Sequence, residues 1–207
     1  MLKLFYAPST CALATHIALI EVGADYELVR LSFADEDQRK PDYLAINPKG
    51  RVPALVTEEG VLTETPALLA YVAQRFPAAG LAPFGDPFAF ARVQAFNSYL
   101  CATLHVAHSH RMRGYRWADE PEAIAAMQRK VPDSVSQSFT MVEGELGDPW
   151  LMGDRYTICD PYLFTLAQWM EADGVDTRRF PRVIAHRARC AARPAVRQAL
   201  AEEFAAA

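Results

Sequence analysis

The stretch that decides the fold is Leu2-Lys3-Leu4-Phe5-Tyr6-Ala7-Pro8-Ser9-Thr10-Cys11, followed by Ala12-Leu13-Ala14-Thr15-His16-Ile17-Ala18-Leu19-Ile20-Glu21-Val22. An apolar run of strand length ends at the breaker Pro8-Ser9-Thr10. Ala12, Ile17, Ala18, Leu19 and Val22 then recur at helical spacing, and Gly23 stops the helix. Tyr26–Leu31 alternates and predicts a second strand. The opening is thus βαβ, and the right-handed crossover makes its two strands parallel neighbours. Cys11 falls at the strand-to-helix junction. Open backbone N–H groups and the helix dipole favour an anion there. A thiol in that place is expected to ionise more readily than one in water. The competing reading is a small buried apolar residue.

Outward from this unit, Ser32 to Lys40 is a polar, acidic loop, and Pro41–Ile46 has room for one or two helical turns. Asn47-Pro48-Lys49-Gly50 is a turn cluster. A strand over Val52–Thr57 and a tight turn at Glu58-Glu59-Gly60 lead into a hairpin partner, Val61-Leu62-Thr63. Glu64–Phe76 follows as a helix with Leu68, Leu69, Val72 and Phe76 at core spacing, and Thr63 is its expected N-cap. The order is β-α-β-α-β-β-α. Residues 78–87 hold two Gly and two Pro and read as a linker. Helical patterns then run over Phe88–Gly114, Pro121–Leu146, Ile158–Ala172, Ile184–Ala192 and Pro194–Phe204. The expected organisation is an α/β domain over 1–77, a linker over 78–87 and an all-α domain over 88–207.

At 207 residues, 51% of them hydrophobic, the chain can build one large or two modest cores. A net charge of −4 argues against bulk nucleic-acid binding. No apolar run approaches the about 20 residues of a membrane span. The N-terminal run carries Lys3 and breaks at Pro8, so it reads as a strand and not a signal peptide, and the expected compartment is the cytoplasm. The four cysteines, Cys11, Cys101, Cys159 and Cys190, form no CxxC pair, which argues against a disulfide framework or structural zinc.

Val52-Pro53 carries a second signal. An X-Pro bond is where a cis peptide is tolerated, and a cis bond would turn the Val52 backbone outward to pair with a peptide-like ligand. Edge protection is the other reading. Glu64-Thr65 opens a helix, where a carboxylate can hold a ligand ammonium and N–H groups a ligand carboxylate. Thr157-Ile158-Cys159-Asp160 has the form of a capping box and is assigned to folding. His105, His108, His110, Arg111, Arg113 and Arg116 cluster late in the long helix. They are a solvated basic face or the wall of an anionic or aromatic substrate pocket, with Tyr115 and Trp117 supplying flat surface. No acidic or Cys ligand lies close by in sequence, so no metal site is expected.

Taken together, these features resemble a cytosolic glutathione transferase over nearly the whole chain. The resemblance rests on Leu4-Phe5-Tyr6-Ala7-Pro8 before the Cys, on Asn47 to Leu55, on Leu62-Thr63-Glu64-Thr65 and on Thr157 to Phe164. Cys11 with Ala12 to Ile17, and Ser98-Tyr99-Leu100-Cys101-Ala102-Thr103-Leu104-His105, resemble the bacterial beta class. This likeness implies a thioredoxin-like first domain, a helical second domain carrying the second-substrate site, and a homodimer. It implies glutathione as co-substrate, with Val52 beside a cis Pro53 pairing with its cysteinyl backbone. Glu64 and Thr65 would hold the γ-glutamyl end, Cys11 would face the sulfur with Thr10 alongside, and His105 would approach from the second domain. The chain departs from the class at Asp35-Glu36-Asp37-Gln38, where a Lys is usual near the glycyl carboxylate, and at Ser98, where Asn is common.

The implied activity is conjugation of glutathione to small hydrophobic electrophiles, thiol transfer through a mixed disulfide at Cys11, or both. A Cys is a poorer hydrogen-bond donor to a thiolate than Tyr or Ser, and two thiolates repel, whereas thiol–disulfide exchange suits it. His105 is a candidate donor or base. The alternatives are a non-catalytic glutathione- or ligand-binding protein, or a glutathione-dependent isomerase, dehalogenase or peroxidase on the same scaffold.

Overall fold

A computed structural model describes residues 1–205. They form two compact units: Met1–Phe90 together with the chain from Ala191 onward, and Ala91–Cys190.

The first unit runs β1 (Leu2–Tyr6), α1 (Ala12–Glu21), β2 (Tyr26–Arg30), α2 (Pro41–Ile46), β3 (Ala54–Thr57), β4 (Gly60–Thr63) and α3 (Thr65–Arg75). The sheet order is β2-β1-β3-β4. β1 and β2 are parallel, pairing Leu4 with Leu28, as the crossover rule requires. β3 is antiparallel to β1, pairing Leu55 with Leu4, and β4 returns as its hairpin partner. Side chains alternate across β1. Phe5 joins Leu31, Tyr43 and Ala54 on the face that α2 covers. Tyr6 points to the other face, its ring 6.3 Å from that of His16 on α1. This is the thioredoxin-like arrangement expected. Several boundaries shift by a residue or two. β3 starts at Ala54, after Pro53, which has no N–H for a ladder. Glu64, not Thr63, occupies the N-cap position of α3, and the Thr63 hydroxyl instead accepts from Lys49 at 2.8 Å.

α1 is buried from Ala12 to Leu19, more than a helix lying on one sheet needs. Its second cover is α9 (Pro194–Ala205), which the sequence reading grouped with the helical domain. Arg193 makes a two-pronged pair with Glu21 at 2.6 and 2.7 Å. Towards the other end of α9, Glu202 Oε2 lies 2.8 Å from His16 Nε2 and accepts from Tyr26 Oη at 2.7 Å. Burial alone would raise the Glu202 carboxyl, but hydrogen bonds from Gln198, Tyr26 and His16 outweigh it and hold the group below its ordinary 4.5. A depressed carboxylate stabilises the fold above that value and loses its contribution as pH falls through the lower folded value. Glu202→Gln should therefore melt earlier than the parent at neutral pH. In thermal melts the gap should close as pH drops below 4.5; a gap of constant size would mean the charge is not what counts.

The second unit holds the rest of α4 (Pro87–Tyr99), α5 (His105–Arg113), α6 (Pro121–Glu145), α7 (Cys159–Ala167) and α8 (Pro181–Ala191). α6 packs through Val131, Val135, Phe139 and Val142, one apolar stripe. The expected long helix over Phe88–Gly114 is instead α4 and α5 joined by a π-helical turn, Leu100–Leu104. That wider turn seats both Leu100 and Leu104 in the core and resets the phase of the residues that follow. α7 stops at Ala167, short of the expected Ala172, and turns carry the chain to Gly174 at φ 77. α8 starts at Pro181, ahead of the expected Ile184, because the Glu143 carboxylate on α6 accepts from the N–H groups of Arg182 and Val183 at 2.8 and 2.9 Å. Half of the expected box at Thr157 forms: Asp160 Oδ2 accepts from the Thr157 N–H at 2.6 Å, but Ile158 takes the N-cap position and the Thr157 hydroxyl accepts from the Cys159 N–H at 3.3 Å. Among the described residues, no helix is long and apolar enough to cross a membrane.

Candidate active site

Cys11 is the N-cap residue of α1 and keeps 9% exposure, whereas Cys159 and Cys190 have none. Its thiol donates to the Val52 carbonyl at 3.6 Å. The preceding residues hold it from two sides. The Thr10 hydroxyl donates to the Ala7 carbonyl at 2.7 Å and accepts from the Ala12 N–H at 3.4 Å. Ser9 sits in the left-handed region at φ 60, a conformation that costs a non-glycine residue about 1–3 kcal/mol. The Ser9 N–H donates to Glu203 Oε2 at 3.3 Å, and the Glu203 side chain is fully buried. By contrast, burial pushes the Cys159 thiol far up, and it donates to the Val93 carbonyl at 3.2 Å. Cys159 is a core residue; Cys11 is a buried thiol at a helix mouth, keeping a trace of exposure, and Cys101 on the helical unit is the more exposed cysteine.

The other first-unit candidates gather on neighbouring elements. The Val52–Pro53 bond is cis, and the Tyr43 hydroxyl and Asn47 amide both donate to the adjacent Arg51 carbonyl, at 2.5 and 2.6 Å. Glu64 is exposed and stands at φ 74, a second strained non-glycine position. Thr65 beside it is buried at the start of α3. Lys49 Nζ lies 2.5 Å from Glu64 Oε1. As both side chains are about half exposed, this pair adds little stability, and the carboxylate is here taken by the lysine. In the acidic loop Lys40 pairs with Asp37 at 2.6 Å and Arg39 with Glu36 at 3.5 Å. Both cations there face the loop's own carboxylates.

On the second unit, Ser98 is exposed on α4, and His105 opens α5 with Nδ1 3.3 Å from the buried Tyr162 hydroxyl. The His and Arg cluster does not act as one face. His108 Nδ1 lies 2.7 Å from Asp173 Oδ2, and Arg111 Nε 3.3 Å from Asp173 Oδ1. His110 instead packs edge-on to Trp117, with ring centroids 4.5 Å apart. Among the described residues no group of three or more His, Cys, Asp or Glu side chains is arranged to hold a metal ion.

Sequence reasoning missed Glu203 and Asp173, both carboxylates in the core. Their signal was present but unread: an acid among the apolar positions of a terminal helix, and one just after the apolar run of α7. Each is buried because it answers a group distant in sequence.

A thiol at the head of the first helix of a thioredoxin-like unit, in a chain that continues as a helical unit, defines a thiol-handling protein of two-part build. More narrowly, the chain belongs to the glutathione S-transferase family. It matches the glutathione S-transferase N-terminal domain over residues 1–74 and the C-terminal domain over residues 100–194. It is 34% identical to the Escherichia coli O157:H7 glutathione S-transferase GstA over 206 residues, 98% of each chain. It is 32% identical over 205 residues to a maleylacetoacetate isomerase of Pseudomonas aeruginosa, covering 96% of this chain and 95% of that one. A glutathione transferase homologue from Sulfitobacter, solved with bound glutathione, superposes with a TM-score of 0.93 at 44% identity, covering 96% of each chain.

Proposed function

We propose that the chain binds glutathione along its first unit and uses it in conjugation to small hydrophobic electrophiles and in thiol transfer through a mixed disulfide at Cys11. The observation that carries this is the Cys11 thiol 3.6 Å from the Val52 carbonyl. A tripeptide pairing with the Val52 backbone brings its own sulfur to Cys11. Glu64 takes the γ-glutamyl ammonium in the manner of Lys49, and the open N–H groups at Thr65 take the γ-glutamyl carboxylate. Thr10 supports the sulfur. The helical unit supplies Ser98, His105 as proton donor or base, and the second-substrate surface. A homodimer in the cytoplasm completes the reading.

The test is retention on immobilised glutathione, then turnover of chloro-dinitrobenzene and of a glutathione mixed disulfide. Retention without either turnover points to a carrier. Glu64→Gln should raise the KM for glutathione roughly fivefold, as expected for losing one charge-assisted hydrogen bond at an exposed site. An unchanged KM removes Glu64 from the site. The relation to a maleylacetoacetate isomerase favours one second reading, glutathione-dependent cis–trans isomerisation of an unsaturated diketo acid. Activity on such an acid exceeding that on chloro-dinitrobenzene would select it.

A further inference from the structure

The backbone of Lys49 is held in place before its side chain meets a partner. It stands in the turn Asn47-Pro48-Lys49-Gly50. Its N–H donates to Asn47 Oδ1 at 3.2 Å, and the Gly50 N–H donates to the Asn47 carbonyl at 2.9 Å. Asn47 is itself buried, and its amide donates to the Arg51 carbonyl at 2.6 Å. Gly50 turns at φ 59, and a Cβ there would come within 3.0 Å of the Gln38 carbonyl oxygen, so the turn lies close against the loop before α2. From this base Nζ reaches the junction of β4 and α3. It donates to Thr63 Oγ1 at 2.8 Å and to Glu64 Oε1 at 2.5 Å. All of these residues belong to the first unit.

The Lys49–Glu64 pair is only partly satisfied. An ammonium has three hydrogens, and two are used. A carboxylate has two oxygens, and among the described residues Glu64 Oε2 meets no partner. With both side chains about half exposed, one donor and one acceptor face water side by side. Together they carry no net charge. A ligand with an ammonium and a carboxylate on one carbon meets both at once, each charge against its opposite. A simple amine meets Glu64 alone. There it competes with a cation already in place and gives Lys49 no anion in return, which selects against it.

We propose that Lys49 is a specificity-determining residue for glutathione, binding the α-carboxylate of its γ-glutamyl end while Glu64 binds the ammonium. This rests on the reading given above, which assigns that end of the tripeptide to Glu64 and Thr65. The N–H groups at Thr65 serve one carboxylate oxygen and Lys49 the other. Among the described residues Lys49 is the one cation in contact with Glu64.

Glutathione and its analogue without that carboxylate, 4-aminobutyryl-cysteinylglycine, decide the matter, each as co-substrate for chloro-dinitrobenzene. Lys49→Gln should raise the KM for glutathione about fivefold and leave kcat nearly unchanged, since the group lies away from the reacting sulfur. The KM for the analogue should stay level or fall, because its amine no longer competes with Lys49. Lys49→Arg keeps the charge and should recover part of the preference. A merely structural Lys49 would move both co-substrates together, and the thermal midpoint of Lys49→Gln checks that the turn persists. If the parent binds these thiols without turnover, calorimetric Kd values replace KM and are read in the same way. A preference unchanged in Lys49→Gln, or a KM for glutathione that falls, overturns the inference and leaves the transferase reading intact. A parent that neither retains nor turns over glutathione fails the reading, and the inference goes with it.

Discussion

Cys11→Ala abolishes thiol transfer; the expected loss is at least about a hundredfold in kcat/KM. In the proposed reaction the Cys11 thiolate attacks the glutathionyl sulfur of a mixed disulfide RS–SG. The old S–S bond breaks, RS⁻ leaves with the electron pair and takes a proton from water, and Cys11–S–SG forms. A second glutathione, as thiolate, attacks the glutathionyl sulfur, releasing oxidised glutathione and the Cys11 thiolate. Alanine has no sulfur and stops the first step. Conjugation asks less of the residue, needing only donors around the glutathione thiolate, and Ser9, Thr10 and the helix N–H groups remain. It should fall by less than thiol transfer. The variant gives up the Sγ hydrogen bond to the Val52 carbonyl, worth about 1 kcal/mol, and should stay folded; its thermal midpoint will check that. Thiol transfer that survives the substitution removes Cys11 from its assigned role.

The residues of the first unit announced their fold because each element is short, bounded by Pro or Gly, and patterned on its own. Pro41–Ile46 appears with the bounds read from the sequence, and Gly23 stops α1 at φ 65 with its N–H on the Ile20 carbonyl. Where the reading slipped, a distant partner decided. An apolar α1 states that it is covered but not by what, and its cover is a helix at the far end of the chain. The start of α8 depends on Glu143, a side chain on another helix. The π-helical turn at Leu100–Leu104 is invisible to a search for a period of 3.6, because it is one widened turn inside a pattern that otherwise continues.

The candidate site was legible in the same partial way. Cys11, Val52, Pro53, Glu64 and Thr65 could be picked out because a breaker, an X-Pro step and a helix start mark them locally. What orients them was not visible. The Glu203 carboxylate on the Ser9 N–H and the Asp173 carboxylate on His108 span 194 and 65 residues of sequence. The basic run from His105 to Arg116 read as one surface because its residues share a charge. The fold splits it, since Asp173 draws in His108 and Arg111, while His110 turns to Trp117.

Asp160→Ala should be the most destabilising single change in the helical unit, by about 3–5 kcal/mol, the cost of stranding a buried partner. Asp160 and His186 are both fully buried. Oδ1 accepts from the Leu151 N–H and from His186 Nε2, each at 2.8 Å. Oδ2 accepts from the Thr157 N–H at 2.6 Å and from its hydroxyl at 3.2 Å. One side chain thus ties the loop at Leu151, the start of α7 and the middle of α8. Alanine leaves these donors facing a void, each unmet donor costing about 1–3 kcal/mol, against a total of about 5–15 kcal/mol for a typical fold. Asparagine is the sharper variant. It keeps the shape but turns an NH₂ towards one pair of donors, whichever way it flips, so it should be nearly as damaging as alanine. Urea unfolding of both variants checks the order. If asparagine costs less than about 1 kcal/mol, the site needs only the outline of the side chain, and the account of a carboxylate hub is wrong. A His186→Phe background adds the last step, because with one donor already gone Asp160→Ala should cost measurably less than it does alone.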